Sequence, residues 1–506
     1  MRCDEKVVDH CETVHSHGAM KRASTFCLRS VNTPLLTKRE QDLDAQFVVR
    51  DRRIQHRRSM TTSTLTGAPP GINTIIRRIT QIRRGEAAVV IASSLCFFFI
   101  LTALMVIRPA RDALGIRRGI ETVRWLFVGT AIVTLAVNPV FAFLVSRTRR
   151  LVFITATYIF FGLSLIAFWA VLVGAPEAIG EASGMVFFVW FSVFNLFATM
   201  VFWALMADRF ALDQSKRLFG IISVGGSLGA IAGPWLASRL AKPFGTAALL
   251  PVSAALLGLA VVCAWAVARL QPGHAVSSHD SRAVDESAVI GGSAWEGLRA
   301  VVFGSRYLLG ISGYVLTLTV IGTFIYFTRL QMVAALGDDL DMRTGIFARL
   351  DFYTQLTTLV LQALVTGHFM KRFGVHVTLA LLPITAILGF AGLAFVASLA
   401  MLTIFQATFS ATQRSLTRPA RETLFTVVPR EDKYKSKAFI DTFVYRGGDV
   451  AGSQIEGLLG RLAPGVGALV AATIPIAVAW AALGIWLGHA QKRRAVERDE
   501  ATIIRA

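Results

Sequence analysis

The chain has few cysteines and few charged residues for its length. Its five cysteines are scattered over 506 residues, and no pair has the spacing of metal ligands, so the sequence indicates neither a disulfide framework nor a metal site. Charged residues make up only 17% of the chain, against 54% hydrophobic residues, and the mean hydropathy is +0.57. Apolar runs of roughly 20 residues recur throughout, so we predict a polytopic membrane protein rather than a soluble one.

Acidic residues are much rarer than basic ones. The formal net charge is +20, which in a soluble protein would suggest a nucleic-acid partner. Here much of the basic charge lies in the N-terminal arm and in short loops between apolar runs, as membrane topology favours. We therefore expect the lipid bilayer as a partner, with no nucleic acid and no obligate protein partner.

Motifs of enzymes are also lacking. The sequence has no catalytic triad, metal cluster or nucleophile motif, so we predict no enzyme activity, no catalytic or metal-binding residues and no cofactor. Two glycine runs, GGSLGAIAG (225–233) and GGDVAG (447–452), superficially suggest phosphate loops. Neither has the lysine spacing of a P-loop, and neither follows a strand. We interpret them as small residues that let membrane helices approach closely.

The apolar runs predict an all-α membrane protein with about 12 transmembrane helices in two pseudo-symmetric six-helix bundles. The candidate spans are 87–107, 124–146, 151–173, 184–206, 218–240, 246–268, 306–328, 347–370, 375–397, 398–420, 438–461 and 466–490. Six spans, a long polar segment and six further spans form the pattern of a two-bundle transporter.

The same pattern divides the chain into five parts. They are a basic and disordered N-terminal extension (1–85), an N-terminal bundle (86–269), a linker (270–305), a C-terminal bundle (306–490) and a basic tail (491–506). An alternative is that translation starts at Met60. The extension has no apolar core, so we expect no cleavable signal peptide.

Basic loops predict the orientation. Arginine and lysine clusters precede span 1 and follow spans 2, 4, 8, 10 and 12, which places them all on one side of the membrane. By the positive-inside rule that side is the cytoplasm, so we expect an inner-membrane protein with both termini cytoplasmic. Four arginines after span 1 break the rule, and contact with an anion would explain them: Arg108, Arg111, Arg117 and Arg118.

An internal repeat supports two parallel halves. SRTRR (146–150) has a counterpart in HFMKR (368–372), and the Gly225–Gly226 pair has one in Gly447–Gly448; both are offset by 222 residues. Such a repeat is typical of transporters that bind their cargo near the midplane, between the halves.

Three stretches resemble a known family. The basic loop repeated between the halves is similar to that of the major facilitator superfamily. Within it, IRPARDALG (107–115), DQSKRLFGIISVGGSLGAIAGP (213–234) and PREDKYKSKAFIDTFVYRGGDVAG (429–452) resemble the ATP:ADP antiporter family of nucleotide transporters. Arg111 stands in place of that family's lysine, and Asp112 is retained. The resemblance implies exchange of a small anionic, nucleotide-like substrate without ATP hydrolysis.

With a phosphorylated cargo, four basic residues become candidate phosphate contacts: Arg108, Arg111, Lys437 and Arg446. Arginine pairs with phosphate through two hydrogen bonds, whereas lysine offers a point charge. Asp112 and Asp449 are expected to pair with these arginines in the empty site. Alternatively, arginine–aspartate pairs simply lock spans 1 and 11 together.

Asp351 has two interpretations. It is either a cavity carboxylate that carries a proton, or a partner of Arg349 or Arg329 near the membrane surface. Arg414 and Arg418 lie four residues apart and face one way, and Arg418 is expected to snorkel to the interface.

The sequence leaves three functions open. The first is a secondary transporter that exchanges nucleotides or a related phosphorylated anion by alternating access. The second is a proton-coupled transporter of another organic anion or drug, for which Asp351 would matter more than the arginines. The third is a membrane sensor or scaffold that transports nothing.

Overall fold

The structure, a computed structural model, describes residues 83, 85–147, 150–270, 298–299, 301, 305–462 and 466–505. These residues form helices and short turns, without a strand among them, so the predicted all-α membrane fold is confirmed. The predicted disordered extension and most of the predicted linker lie outside the described residues. So does the proposed start at Met60.

Six long helices form the first half. They are α1 (Ala87–Gly115), α2 (Ile120–Arg147), α3 (Arg150–Gly174), α4 (Glu177–Arg209), α5 (Leu212–Phe244) and α6 (Leu249–Leu270). Helix α1 runs eight residues beyond the predicted end of span 1. Arg108, Arg111 and Asp112 therefore lie within a membrane helix and not in a loop, which corrects the topology argument made for the two arginines.

The second half contains seven helices and two π-helical segments. They are α7 (Arg306–Ala334), α8 (Leu340–Phe395), α9 (Leu399–Thr412), the first π-segment (Gln413–Thr417), α10 (Arg418–Leu424), α11 (Arg430–Phe439), the second π-segment (Ile440–Val444), α12 (Tyr445–Leu462) and α13 (Val466–Arg505). Helix α8 is broken at Gly374, whose φ of 77° is a left-handed conformation that favours glycine, and so supplies two crossings. Each π-segment joins the helices beside it into a single crossing, so these helices account for six crossings.

Nine described segments are long and apolar enough to span a membrane. Three further crossings fall outside this set: the part of α8 before Gly374, α9 with α10, and α11 with α12. These three carry the charged and amide side chains that line or support the cavities described below, which explains their lower hydropathy.

Close helix packing in the two halves follows the glycine runs. A Cβ atom on Gly225 would lie 2.2 Å from the Ser94 backbone oxygen of α1, and one on Gly229 would lie 2.3 Å from that of Phe98. In the second half, a Cβ atom on Gly448 would lie 1.8 Å from the Thr319 hydroxyl of α7. The interpretation of both runs as close-approach surfaces is confirmed, because any larger residue would clash.

The halves meet along two seams. Helix α8 packs against α5 and α1, and α12 packs against α2. Each half also has its own apolar core, with only a few residues exchanged across the interface. This arrangement leaves space between the halves near the middle of the helices.

Candidate functional site

A central cavity of about 300 Å³ lies between the two halves. Helices α1, α2 and α4 form its wall in the first half, and α7, the first π-segment and α12 form its wall in the second. Its lining includes the polar or charged residues Arg108, Arg111, Thr130, Ser192, Thr319, Thr323, Tyr326, Gln413, Tyr445, Arg446 and Asp449. The cavity therefore lies where a two-bundle transporter binds its cargo.

Three of the four predicted phosphate contacts line this cavity. Arg108 and Arg111 are three residues apart on α1 and so face the same way. Arg446 and Asp449 face them from α12, and the Arg446 guanidinium lies 3.6 Å from the Asp449 carboxylate. Both halves thus contribute a cation to one space.

Lys437, the fourth predicted contact, lies elsewhere. Its ammonium group donates to the Glu422 carboxylate over 2.6 Å, and it lines a second cavity of about 580 Å³. That space, here called the basic cavity, is lined by Leu318, Gln413, Arg414, Thr417, Arg418, Arg421, Glu422, Lys437, Asp441 and Tyr445. It lies beyond the central cavity, on the side away from the α1–α2 turn.

A buried network of charges stands behind the central cavity. The guanidinium of Arg329, on α7, lies 2.8 Å from the Asp351 carboxylate of α8 and 3.2 Å from the Asp112 carboxylate of α1. The Nε atom of Arg111 donates to Asp112 over 2.9 Å, and Arg108 lies 3.7 Å from Asp351. Asp112 therefore contacts Arg329 and Arg111, and Asp351 contacts Arg329 and Arg108.

Burial makes this network energetically important. The side chains of Arg329 and Asp351 are each 2% exposed, and that of Asp112 is fully buried. A charge at this depth costs several kcal/mol unless it is paired. Arg329 also lies over the Phe347 ring, with 4.8 Å between the guanidinium carbon and the ring centroid. The three buried charges thus hold α1, α7 and α8 together across the interface.

Arg329 lies deeper than its position after an apolar run predicted. The sequence predicted a pair of Asp351 with Arg329 or Arg349 near the membrane surface, whereas Arg329 is among the largest fully buried side chains and Arg349 is exposed. The predicted alternative in which arginine–aspartate pairs lock spans 1 and 11 is not what the structure shows. Asp112 instead connects α1 to α7, and Asp449 pairs within its own helix. A charge directly beyond an apolar run was the signal that could have identified Arg329.

Aromatic rings surround the Arg111 guanidinium. Its central carbon lies 4.7 Å from the ring centroid of Phe188 and 5.0 Å from that of Phe191. The Tyr326 hydroxyl donates to Asp112 over 2.9 Å and lies 3.3 Å from Arg111. These contacts hold the guanidinium at the cavity wall, because a cation is attracted to the faces of aromatic rings.

A second cluster closes the space at the end where α1 turns into α2. Glu456 of α12, which is nearly fully buried, accepts hydrogen bonds from Arg124 of α2 at 2.9 and 3.0 Å and from Gln331 of α7 at 2.5 Å. On the other seam, the backbone amide of Thr246, between α5 and α6, donates to the Asp341 carboxylate of α8 over 2.6 Å. We call the Arg124–Glu456–Gln331 cluster the end lock, because it joins the two halves.

No group of three or more histidine, cysteine, aspartate or glutamate side chains that could hold a metal ion occurs among the described residues. The fold and this site define a class: a multi-pass membrane transporter with a charged cavity between two helical halves.

The family follows from sequence comparison. A profile of the Major Facilitator Superfamily matches residues 87–418, which is well over half of the chain. The chain belongs to this superfamily, and the broader of the two resemblances found in the sequence is confirmed. A search of curated proteins finds no match.

Similar solved structures are distant in sequence. A POT family transporter in complex with a thioalcohol-conjugated peptide is 11% identical, with a TM-score of 0.54 over 79% of this chain and 96% of that chain. A mutant of the nucleoside transporter NupG is 14% identical, with a TM-score of 0.47 over 81% and 100% of the two chains. A bacterial homologue of the human lysosomal transporter Spinster is 14% identical, with a TM-score of 0.49 over 82% and 99%. At such a low identity, the likeness to the POT family transporter supports the fold alone.

Proposed function

We propose that this protein is a secondary active transporter that exchanges a phosphorylated small anion, of the ATP and ADP type, by alternating access. The observation that carries the proposal is the convergence of Arg108 and Arg111 from one half, and Arg446 from the other, on a single cavity. A cargo held by cations from both halves couples its own binding to their relative movement.

The chemistry of these residues suits phosphate. Arginine presents a planar set of donors that matches two phosphate oxygens, and such charge-assisted hydrogen bonds are roughly twice as strong as neutral ones. In this structure Arg111 is held by Asp112, and Arg446 lies near Asp449. An incoming anion would replace these carboxylates as the partner, which limits the cost of a cavity lined with positive charge.

The end lock supports alternating access. It connects the halves at the α1–α2 end through Arg124 and Glu456, whereas the basic cavity lies toward the other end. We infer that this conformation admits cargo from the end that carries the basic loops, and that the lock must open for release at the α1–α2 end. The positive-inside rule would make the basic end cytoplasmic in a cell inner membrane, with both termini inside.

Ligand-induced stabilisation tests the proposal. A ligand at about 100 times its dissociation constant stabilises the folded state by about 2.7 kcal/mol. We expect ATP and ADP to raise the melting temperature of the purified protein, and adenosine, which lacks phosphate, to leave it unchanged. Equal effects of all three, or no effect of any, would contradict phosphate recognition.

A second candidate function rests on the buried carboxylates. Asp112 reaches Arg329 and Asp351 reaches Arg108 across the interface between the halves, so protonation of either carboxylate would weaken an interface contact, as a proton-coupled carrier of another organic anion requires. In that case Asp351→Asn abolishes transport and Arg111→Ala is tolerated. The opposite order of sensitivity favours anion exchange.

A further inference from the structure

We propose that the basic cavity is a second anion subsite, in which Arg414 and Arg418 receive the terminal group of a cargo that carries two or more linked phosphate groups. The inference rests on the proposed function, because the first phosphate group is held by the central cavity. It deepens that function by assigning the cargo to the polyphosphates and by naming residues that the first site does not contain.

The two cavities adjoin. Leu318, Gln413 and Tyr445 line both of them, so the spaces share a wall on α7, the first π-segment and the start of α12. Their volumes are about 300 and 580 Å³, which together suit a ligand much larger than a single phosphate ion. One extended anion can therefore reach the arginines of both.

The basic cavity holds more positive charge than its own carboxylates neutralise. Lys437 pairs with Glu422 at 2.6 Å, and Arg421 lies 3.4 Å from Asp441. That leaves Arg414 and Arg418. Among the described residues, neither has a carboxylate within 4.0 Å, and Arg414 donates instead to the neutral amide oxygen of Gln355.

The central cavity contrasts with this arrangement. Arg108, Arg111 and Arg446 each have an aspartate within 3.7 Å or less. The two arginines without a carboxylate partner are thus in the basic cavity, where an added anion need not displace an existing ion pair. The basic cavity can therefore accept a second anionic group without the loss of an ion pair.

Backbone geometry supports a built site. The first π-segment, Gln413–Thr417, lines the basic cavity with Gln413, Arg414 and Thr417, and the second, Ile440–Val444, contributes Asp441. Single turns of π-helix are rare, and they occur frequently at functional sites. Here the first one lies directly before Arg418, so that Arg414 and Arg418 line the same cavity.

Binding of inorganic phosphates of increasing length tests the inference. Phosphate, pyrophosphate and triphosphate are titrated by calorimetry into the purified protein and into its Arg414→Gln and Arg418→Gln variants. Arg239→Gln is the matched control, because Arg239 is exposed on membrane helix α5 and lies outside both cavities. Arg418→Lys, which keeps the charge, shows whether a loss reflects chemistry rather than misfolding.

We expect the wild-type protein and the Arg239 variant to bind triphosphate at least about tenfold more tightly than phosphate, since one charge-assisted contact is worth that factor. In the two glutamine variants the ratio should fall toward one while phosphate affinity changes less than about twofold, and Arg418→Lys should recover part of it. Three results would overturn the subsite: tighter binding of triphosphate than of phosphate in both glutamine variants, no such difference in the wild type, or loss of the difference in Arg239→Gln. Failure of the proposed function is separate, and would appear as no stabilisation by ATP or ADP.

Discussion

The ion pair between Arg329 and Asp351 provides the sharpest stability prediction. Its two groups lie 2.8 Å apart, and each side chain is 2% exposed. Removing one partner of a buried pair costs about 3–5 kcal/mol, because the other charge stays buried. In Asp351→Asn, Arg329 keeps Asp112 at 3.2 Å, so we expect a loss near the lower limit, about 3 kcal/mol of unfolding free energy.

A double-mutant cycle isolates this pair. The free energies of unfolding of Asp351→Asn, Arg329→Gln and the double variant are measured by equilibrium unfolding in SDS, in mixed micelles. Two unit charges about 4 Å apart attract by about 4 kcal/mol at an effective dielectric constant of 20, and desolvation offsets part of that. We expect a coupling energy of about 2 kcal/mol, with the double variant less destabilised than the sum of the single ones.

An exposed pair serves as the control. Arg118 and Glu181 lie 2.9 Å apart, but their side chains are 42% and 27% exposed. The same cycle on Arg118→Gln and Glu181→Gln should give a coupling energy of about 0–1 kcal/mol. Additive effects for Arg329 and Asp351, within about 0.5 kcal/mol, would refute the argument that burial makes their contact strong.

Two further predictions concern packing and gating. Gly448→Ala should destabilise the protein by about 1–3 kcal/mol, because the added carbon would lie 1.8 Å from a threonine hydroxyl of α7. Gly447→Ala is the control: its added carbon would have no neighbouring atom within 4 Å, so this variant should be tolerated in the same unfolding assay. Destabilisation of both to the same extent would contradict the close-approach interpretation. Arg124→Gln should loosen the end lock, because it leaves Glu456 without its ion pair. A cysteine introduced at Thr323, in the central cavity, should then be labelled faster by a thiol reagent that is supplied from the α1–α2 end. An unchanged rate would contradict a gating role.

Much of the fold could be predicted from the sequence. Long apolar runs fixed the number of crossings, because the bilayer requires about 20 residues for each helix. Arg108 and Arg111 stood out because they break the positive-inside rule, and Arg446 stood out because it lies inside an apolar segment, where a charge is expensive. The structure places all three in one cavity.

The depth of individual charges was harder to predict. The predicted spans 1 and 7 ended at residues 107 and 328, just before Arg108 and Arg329, because each charge interrupts the apolar pattern. The helices continue to Gly115 and Ala334. Asp112 and Asp351 neutralise these arginines from other parts of the chain. The hydropathy of one segment contains no information about a partner that lies 22 or more residues away.

The π-segments were also beyond sequence analysis. No residue type at 413–417 or 440–444 marks these wider turns in the sequence. The sequence pattern predicted that Lys437 lies with the other three phosphate contacts, but Lys437 lines the second cavity. The pattern also predicted that the Arg418 side chain extends to the membrane surface, but Arg418 lines the same cavity as Arg414.

The most direct test of the central claim is transport itself. Uptake of radiolabelled ADP is measured in proteoliposomes that are empty or preloaded with ATP, for the wild type, for Arg111→Ala and for the control Arg239→Ala. Exchange through the central cavity predicts uptake that requires internal nucleotide and persists in the Arg239 variant. Uptake should be lost in Arg111→Ala, because the Arg111 side chain lies at the cavity wall. Uptake by Arg111→Ala at the wild-type rate, or no nucleotide flux in folded wild-type protein, would contradict it.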